Sequence, residues 1–259
     1  MNLYEIHTKI ANPTNYIIDI GASTGVNSDP VYQFISNNKY KGLCIEGASQ
    51  KIPSLRQNIS PTFDIYNGYI TPHNVFSVFE QYKVPRFFDV LKIDIDGYDL
   101  DVLRTILQKY QPRIIIAEYN EKIPPPIHFE IKYRDNYEWD NSHCFGFSLA
   151  AGKNVMDKYN YKILSICDLN NILCINFELC NLLSVDFETN IYDIYQSGYV
   201  ARHNERMFHL PWNENVNHWL NIKDPDVLRS EILNYFTKIN DRSLFQIKTK
   251  IEGVDFYIE

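Results

Sequence analysis

Ile17-Ile18-Asp19-Ile20-Gly21-Ala22-Ser23-Thr24-Gly25 opens as an apolar run of strand length and breaks into a turn bounded by two glycines. A second apolar run ends 21 residues past Gly25, in Glu46. This pairing outlines a nucleotide-type cofactor site. Small residues in the first turn let backbone N–H groups approach a ligand, and an acid at the tip of the next strand accepts hydrogen bonds from a ribose. Outward from this stretch, short apolar runs alternate with helical patterns over residues 15–180, the signal of a parallel sheet covered by helices. The pattern predicts strands at residues 16–20, 42–46, 63–66, 90–95, 113–118, 161–167 and 173–177, with helices near 29–38, 49–58, 73–82, 99–110 and 148–159. Asp99 before Leu100, Val102, Leu103, Ile106 and Leu107 reads as an N-cap followed by an apolar stripe. The last two strands are separated only by Asp168-Leu169-Asn170-Asn171, too short for a crossover helix, so they should pair antiparallel. The expected fold class is α/β and Rossmann-like, a seven-stranded mostly parallel sheet with a terminal antiparallel hairpin.

Beyond Leu182 the βα alternation stops, and residues 213–220 and 226–236 look helical, with Pro211 and Pro225 near their starts. The expected organisation is a cofactor-binding domain over residues 1–181 and a mainly helical C-terminal extension over 182–259. Val216, Trp219 and Leu220, then Val227, Leu228, Ile232, Leu233 and Phe236, form two apolar helical stripes that need a surface to bury them. That surface is either the first domain, with the extension as a lid, or a second copy of the chain in a homo-oligomer.

A formal charge of −7 and the absence of a Lys/Arg stripe give no electrostatic footprint for a phosphate backbone, so no nucleic-acid partner is expected. Cys44, Cys144, Cys167, Cys174 and Cys180 form no Cys-x-x-Cys pair and leave an odd thiol, as in a reduced, cytoplasmic protein. The first ten residues include Glu5, His7 and Lys9, and no run of 18 apolar residues occurs. No membrane association is expected.

The first turn reads Asp-x-Gly-x-x-x-Gly rather than Gly-x-Gly-x-x-Gly. An acid just before the first glycine repels a pyrophosphate and suits a cationic ligand. S-adenosylmethionine carries a sulfonium, an ammonium and a ribose but no phosphate, so Asp19, Gly21, Ala22, Ser23, Gly25 and Glu46, with Asp94, are the candidate cofactor contacts. In open parallel sheets the ligand lies outside the carboxyl ends of the strands. Asp94 and Asp96 end the fourth strand, and Glu118 with Asn120 ends the fifth. Singly, each is equally a helix cap or a solvated turn. Together, crowded carboxylates repel one another unless a cation sits among them. That cation is the cofactor or a divalent ion such as Mg²⁺ held by Asp94, Asp96, Glu118 and Asn120. Asp94, Asp96 and His143 are the candidate catalytic residues, with His128 and His143 flanking a Tyr133 to Trp139 segment that could wall the acceptor site.

Phe88-Asp89-Val90-Leu91-Lys92-Ile93-Asp94-Ile95-Asp96-Gly97-Tyr98-Asp99 resembles the strand-four signature of FkbM-type S-adenosylmethionine-dependent methyltransferases, and is most similar to a bacterial branch with Asp-Ile-Asp-Gly-x-Asp. Glu118-Tyr119-Asn120, Pro124-Pro125-Pro126, Trp139-Asp140 and Phe145-Gly146-Phe147-Ser148-Leu149 follow in the order that branch shows. The resemblance covers residues 15–180. It implies a class I methyltransferase domain, usually O-directed, acting on a small-molecule acceptor in surface-polysaccharide or secondary-metabolite biosynthesis. The chain departs from the common family pattern at Asp96, where many members carry Glu, and at Ser23-Thr24, where Asn-Ile is frequent. Two rivals remain open on the residues alone: an NAD-dependent oxidoreductase on a Rossmann sheet, and a non-catalytic cofactor-binding module.

Overall fold

Strand β1, Tyr16–Ile20, is buried at every position, as a strand covered on both faces must be. The computed structural model describes residues 2–26, 28–139, 144–168, 170–184, 190–202, 214–239, 245–251 and 254–255. In it, β1 pairs in parallel with β2 (Lys41–Glu46) on one side and β4 (Phe87–Ile93) on the other. β3 (Phe63–Asn67) adds to β2 and β5 (Gln111–Glu118) to β4, again in parallel. β8 (Asn171–Asn176) lies antiparallel to β5, and β7 (Tyr161–Cys167) antiparallel to β8. The sheet order is β3-β2-β1-β4-β5-β8-β7, the seven-stranded, mostly parallel arrangement with an antiparallel hairpin that the sequence predicts. The strand order reverses between β1 and β4, which opens a crevice at their carboxyl ends.

Period-two alternation divides the core into two layers. Ile17, Cys44, Val90, Ile114 and Ile116 face one layer with α1 (Leu3–Thr8), α2 (Tyr32–Ile35) and α3 (Ile52–Asn58). Ile18, Ile20, Leu43, Ile45, Leu91, Ile93 and Ile115 face the other, with α4 (Val75–Gln81), α5 (Asp99–Ile106) and α6 (Leu149–Lys158). At the amino end of β4, the buried Asp89 carboxylate gathers His7 Nε2 at 3.1 Å, the Thr14 and Asn15 N–H groups and Arg113, tying the chain's start to the sheet. Burial acts to raise the Asp89 carboxyl, but the His7, Thr14 and Asn15 hydrogen bonds outweigh it and hold it below the usual range.

Four helical elements follow the predicted ones closely. The predicted Asp99 N-cap does not hold: Tyr98 takes that place, and the Asp99 carboxylate instead accepts the Ile95 and Gly97 N–H groups at 2.8 and 2.9 Å, bracing the turn before the helix.

The expected break after residue 181 falls inside α7 (Phe177–Leu182), whose Leu179 and Cys180 pack in the α1 to α3 layer. α8 (Ile191–Gly198), α9 (Glu214–Asn221) and α10 (Pro225–Ile239) follow. Three strands escaped the sequence reading. β6 (Ile127–Ile131) pairs antiparallel with β9 (Phe245–Ile251), and the short β10 (Val254–Asp255) pairs with β9. Phe129 of β6 stacks on Phe236 of α10 at 5.0 Å between centroids, and Trp219, Leu228, Ile232, Phe236, Phe245 and Ile247 join the main core cluster. Trp219 of α9 and Leu228, Ile232 and Phe236 of α10 are thus buried against this same chain, while the side chain of Val216 lies outside the described ones. Val227 alone of the α10 stripe is left largely exposed.

Phe236 is fully buried among Phe129, Trp219 and Phe245. Phe236→Ala should destabilise the whole protein by about 3–5 kcal/mol in a denaturant titration. An unchanged midpoint would show that the extension is not part of the cooperative core.

Candidate active site

Gly21 ends β1 at φ +80°, and a Cβ there would lie 1.7 Å from the Asp94 carbonyl oxygen. Only glycine allows the β1 and β4 backbones to come this close. The Gly21 and Ala22 N–H groups donate to the Ile45 carbonyl at 2.9 and 3.0 Å, and Asp94 N–H donates to the Ile20 carbonyl at 3.1 Å, so the turn is stitched to both neighbouring strands. Glu46 ends β2 with its carboxylate accepting the Ser23 N–H and the Ala48 N–H, each at 2.7 Å. Each carboxylate oxygen keeps a further acceptor position. A cavity of about 540 Å³ opens outside these strand ends. Gly21, Ser23, Glu46, Gly47 and Ala48 line one side, Tyr69 and Ile70 continue it past β3, and Asp94, Asp96, Tyr98, Tyr137, Glu138 and Trp139 form the other.

Beneath the cavity floor lies Lys92, on β4 and only 2% exposed. Its Nζ donates to the Gly21 carbonyl at 2.9 Å and stands 3.2 Å from Asp29, 3.3 Å from Asp19 and 3.6 Å from Asp94. Burial works against the ammonium, but Asp19, Asp94 and Asp29 outweigh it and raise its pKa. Burial likewise pushes the Asp19 carboxyl well up, against the lowering pull of Lys92. One ammonium shared by three acids leaves an excess of negative charge, which a proton on Asp19 relieves.

Asp94, Asp96 and Glu118 offer carboxylate oxygens that all lie within 4.8 Å of one another, a spacing that fits one hard cation. Asp96 sits at φ +54° and projects into the cavity, whereas Glu118 is 5% exposed, with Oε1 accepting from Asn170 Nδ2 and Oε2 without a hydrogen-bond partner. Burial first, then the neighbouring Asp94, raises the Asp96 carboxyl. Burial raises Glu118 well above the ordinary range, helped by Asp94, Asp99 and Asp96. Burial also raises Asp99, to about 7.

Of the predicted cofactor contacts, Gly21, Ser23, Glu46 and Asp94 line the cavity. Asp19, Ala22 and Gly25 do not. Asp19 shares the face of β1 that Ile17 occupies, turns toward the helix layer and meets Lys92 rather than a ligand. Ala22 is buried, and a Cβ at Gly25 would press on Leu55 and Ile59 of the α3 region at 2.8 and 2.9 Å, so these two residues serve packing. Asn120 is also a correction to the expected metal set. It is fully buried, its Nδ2 donates to the Phe145 carbonyl at 3.0 Å and its Oδ1 accepts from Lys122 N–H, so both of its polar atoms are engaged by the backbone around it. His143 and Asp140 lie outside the described residues. His128 borders a separate pocket with Asn154 and Lys158 and contributes nothing to this cavity. Lys51, Tyr69 and Ile70 are lining residues the sequence reading missed. The signal for the latter two was their position just past a predicted parallel strand.

Residues 73–143 match the family model of the methyltransferase FkbM domain. The matched segment carries α4, β4, α5, β5 and β6, and with them Asp94, Asp96, Glu118 and the cavity wall from Tyr137 to Trp139. Solved structures similar to this chain include an O-methyltransferase from Bacillus cereus in complex with SAH, at 13% identity over 67% of this chain and 78% of that one, TM-score 0.40. Another is the O-methyltransferase TomG from Streptomyces achromogenes, involved in tomaymycin synthesis and solved with SAM, at 10% identity over 67% of this chain and 76% of that one, TM-score 0.41. A third is CalS10, an amino pentose methyltransferase from Micromonospora echinaspora, at 7% identity over 67% and 87% of the two chains, TM-score 0.40. No curated protein matches the sequence. The FkbM match, rather than these distant likenesses, bears on the chemistry of the segment.

Removing the Lys92 ammonium would leave Asp19, Asp29 and Asp94 crowded without their shared cation. Lys92→Met should therefore lower stability by about 3–5 kcal/mol, read by denaturant unfolding. Stability equal to the parent protein would show that the cluster does not hold the strand ends together.

Proposed function

We propose that the chain is an S-adenosylmethionine-dependent methyltransferase that moves the methyl group onto an oxygen of a small polar acceptor, a sugar hydroxyl or related group in surface-polysaccharide or secondary-metabolite synthesis. One observation carries the reading: the acidic strand end of the FkbM segment opens into the same cavity as the Gly21 turn and Glu46. The residues fit the cofactor, because Gly21 permits close backbone approach and Glu46 is held by two N–H groups with acceptor positions left for ribose hydroxyls. When bound, S-adenosylmethionine supplies an electrophilic methyl group on a sulfonium.

The chain's own work is positioning and proton removal. Tyr98, Tyr137 and Trp139 wall the cavity beside the β4 end and exclude water from it. Asp96 projects into the cavity at the acceptor side and takes the hydroxyl proton, a role helped by the upward shift of its carboxyl. Asp94 holds the acceptor or the cofactor's cationic end. A divalent ion such as Mg²⁺ among Asp94, Asp96 and Glu118 is a second reading, favoured by their mutual spacing. A proton on Glu118 relieves the same crowding without an ion. Exhaustive chelation decides between them: loss of turnover restored by Mg²⁺ places the ion, and unchanged turnover leaves the proton.

Calorimetry should show binding of S-adenosylmethionine and its demethylated product but not of NAD, since the turn lacks a third glycine and faces an acidic rim. Glu46→Ala should weaken binding tenfold to a hundredfold, roughly 1.5–3 kcal/mol for hydrogen bonds to a charged group. Undiminished affinity in that variant, or preferred binding of NAD, would overturn the cofactor assignment.

Asp96→Asn keeps a residue that tolerates positive φ and removes the base. Turnover should fall by roughly 10²- to 10⁴-fold while cofactor affinity persists. In the parent, the active form is the carboxylate, so the rate should rise with pH through the raised Asp96 pKa and decline below it. Asp96→Asn should abolish that acidic limb; a rate and pH profile like the parent's would exclude Asp96 as the base.

A further inference from the structure

We infer that the acceptor is a hydroxylated ring compound that is uncharged or carries an amine, and that the site rejects phosphorylated and carboxylated acceptors. The inference rests on the methyltransferase reading and narrows it. The half of the cavity at the β4 end is lined by Asp94, Asp96 and Glu138, with Glu118 close beneath. Among the described residues, Lys51, just past β2, is the only Lys, Arg or His that lines the cavity, and its single positive charge, which acts on Asp96, stands against the three acids. Lys92 is already shared among Gly21, Asp19, Asp29 and Asp94 below the floor. The start of α5 could otherwise attract an anion, but Asp99 and Asp101 occupy its first turn, and the Asp99 carboxylate takes the Ile95 and Gly97 N–H groups. Among the described residues, a phosphate or carboxylate entering here meets acids and finds neither a guanidinium fork nor an open helix terminus.

The same surfaces suit the opposite chemistry. Glu118 Oε2 is buried without a hydrogen-bond partner, and a carboxylate oxygen of Glu118 lies within 4.8 Å of oxygens of Asp94 and Asp96, which line the cavity and present oxygens to hydroxyl or ammonium donors. Tyr98 and Tyr137, edge to face at 6.0 Å between centroids, line the wall with Trp139 and offer apolar surface to the C–H face of a ring. Carboxyl oxygens below and aromatic surface beside them describe a polyol or amino-polyol site.

Saturation-transfer NMR on the full chain saturated with S-adenosylhomocysteine tests this with four probes: methyl α-glucopyranoside, glucosamine, glucose 6-phosphate and glucuronate. The first two should bind at least tenfold more tightly than the last two, and Glu138→Lys should narrow that gap to threefold or less. Anionic probes binding as well as the others would overturn the charge selection, and no binding by any probe to the loaded protein would overturn the ring class. Failure of S-adenosylhomocysteine itself to bind would instead sink the methyltransferase reading beneath it.

Discussion

The Lys92 ammonium lies 2.9 Å from the Gly21 carbonyl oxygen and between 3.2 and 3.6 Å from carboxylates of Asp29, Asp19 and Asp94. These groups come from the end of β1, the segment before α2, and the end of β4. A buried ammonium is costly unless paired, and three acids crowded together, Asp19 fully buried, are costly unless neutralised, so each side of the cluster fixes the other. The constraint sets the crevice geometry: Gly21 lies against the Asp94 backbone, and the turn that follows places Ser23 on Glu46. Cofactor side and acceptor side therefore share one rigid floor.

Above that floor the acids have separate tasks. Glu46 is spent partly on the backbone of its neighbours and so is oriented before any ligand arrives. Asp99 is used wholly inside the protein, bracing the turn that carries Asp94 and Asp96. Asp96 lines the cavity from a positive φ on that turn, a strained placement of the kind that clusters at functional sites.

The sheet was legible because apolar runs of strand length recur between helical patterns, and the strand ends followed from the rule that ligands sit at carboxyl ends. Asp19 was misread because Asp-x-Gly does not say which face the acid takes. Counting by two from Ile17 would have put it in the α1 to α3 layer, and Lys92, a charge inside the apolar run 90–93, was the signal of its partner. β6 and β9 were readable in principle, since Ile127-His128-Phe129-Glu130-Ile131 and Phe245-Gln246-Ile247-Lys248-Thr249-Lys250-Ile251 both alternate, but they lie more than a hundred residues apart and nothing local marks them as partners. Lys51 could not be placed in the cavity from sequence, because its position depends on how the loop after β2 folds back.

A structure of the protein bound to S-adenosylhomocysteine tests the account most directly. The account predicts the ribose hydroxyls on the Glu46 carboxylate, the amino-acid end over the Gly21 turn beside Asp94, and the sulfur directed toward Asp96 and the Tyr98 wall. A ligand seated away from Glu46, or with its sulfur turned from Asp96, would contradict it.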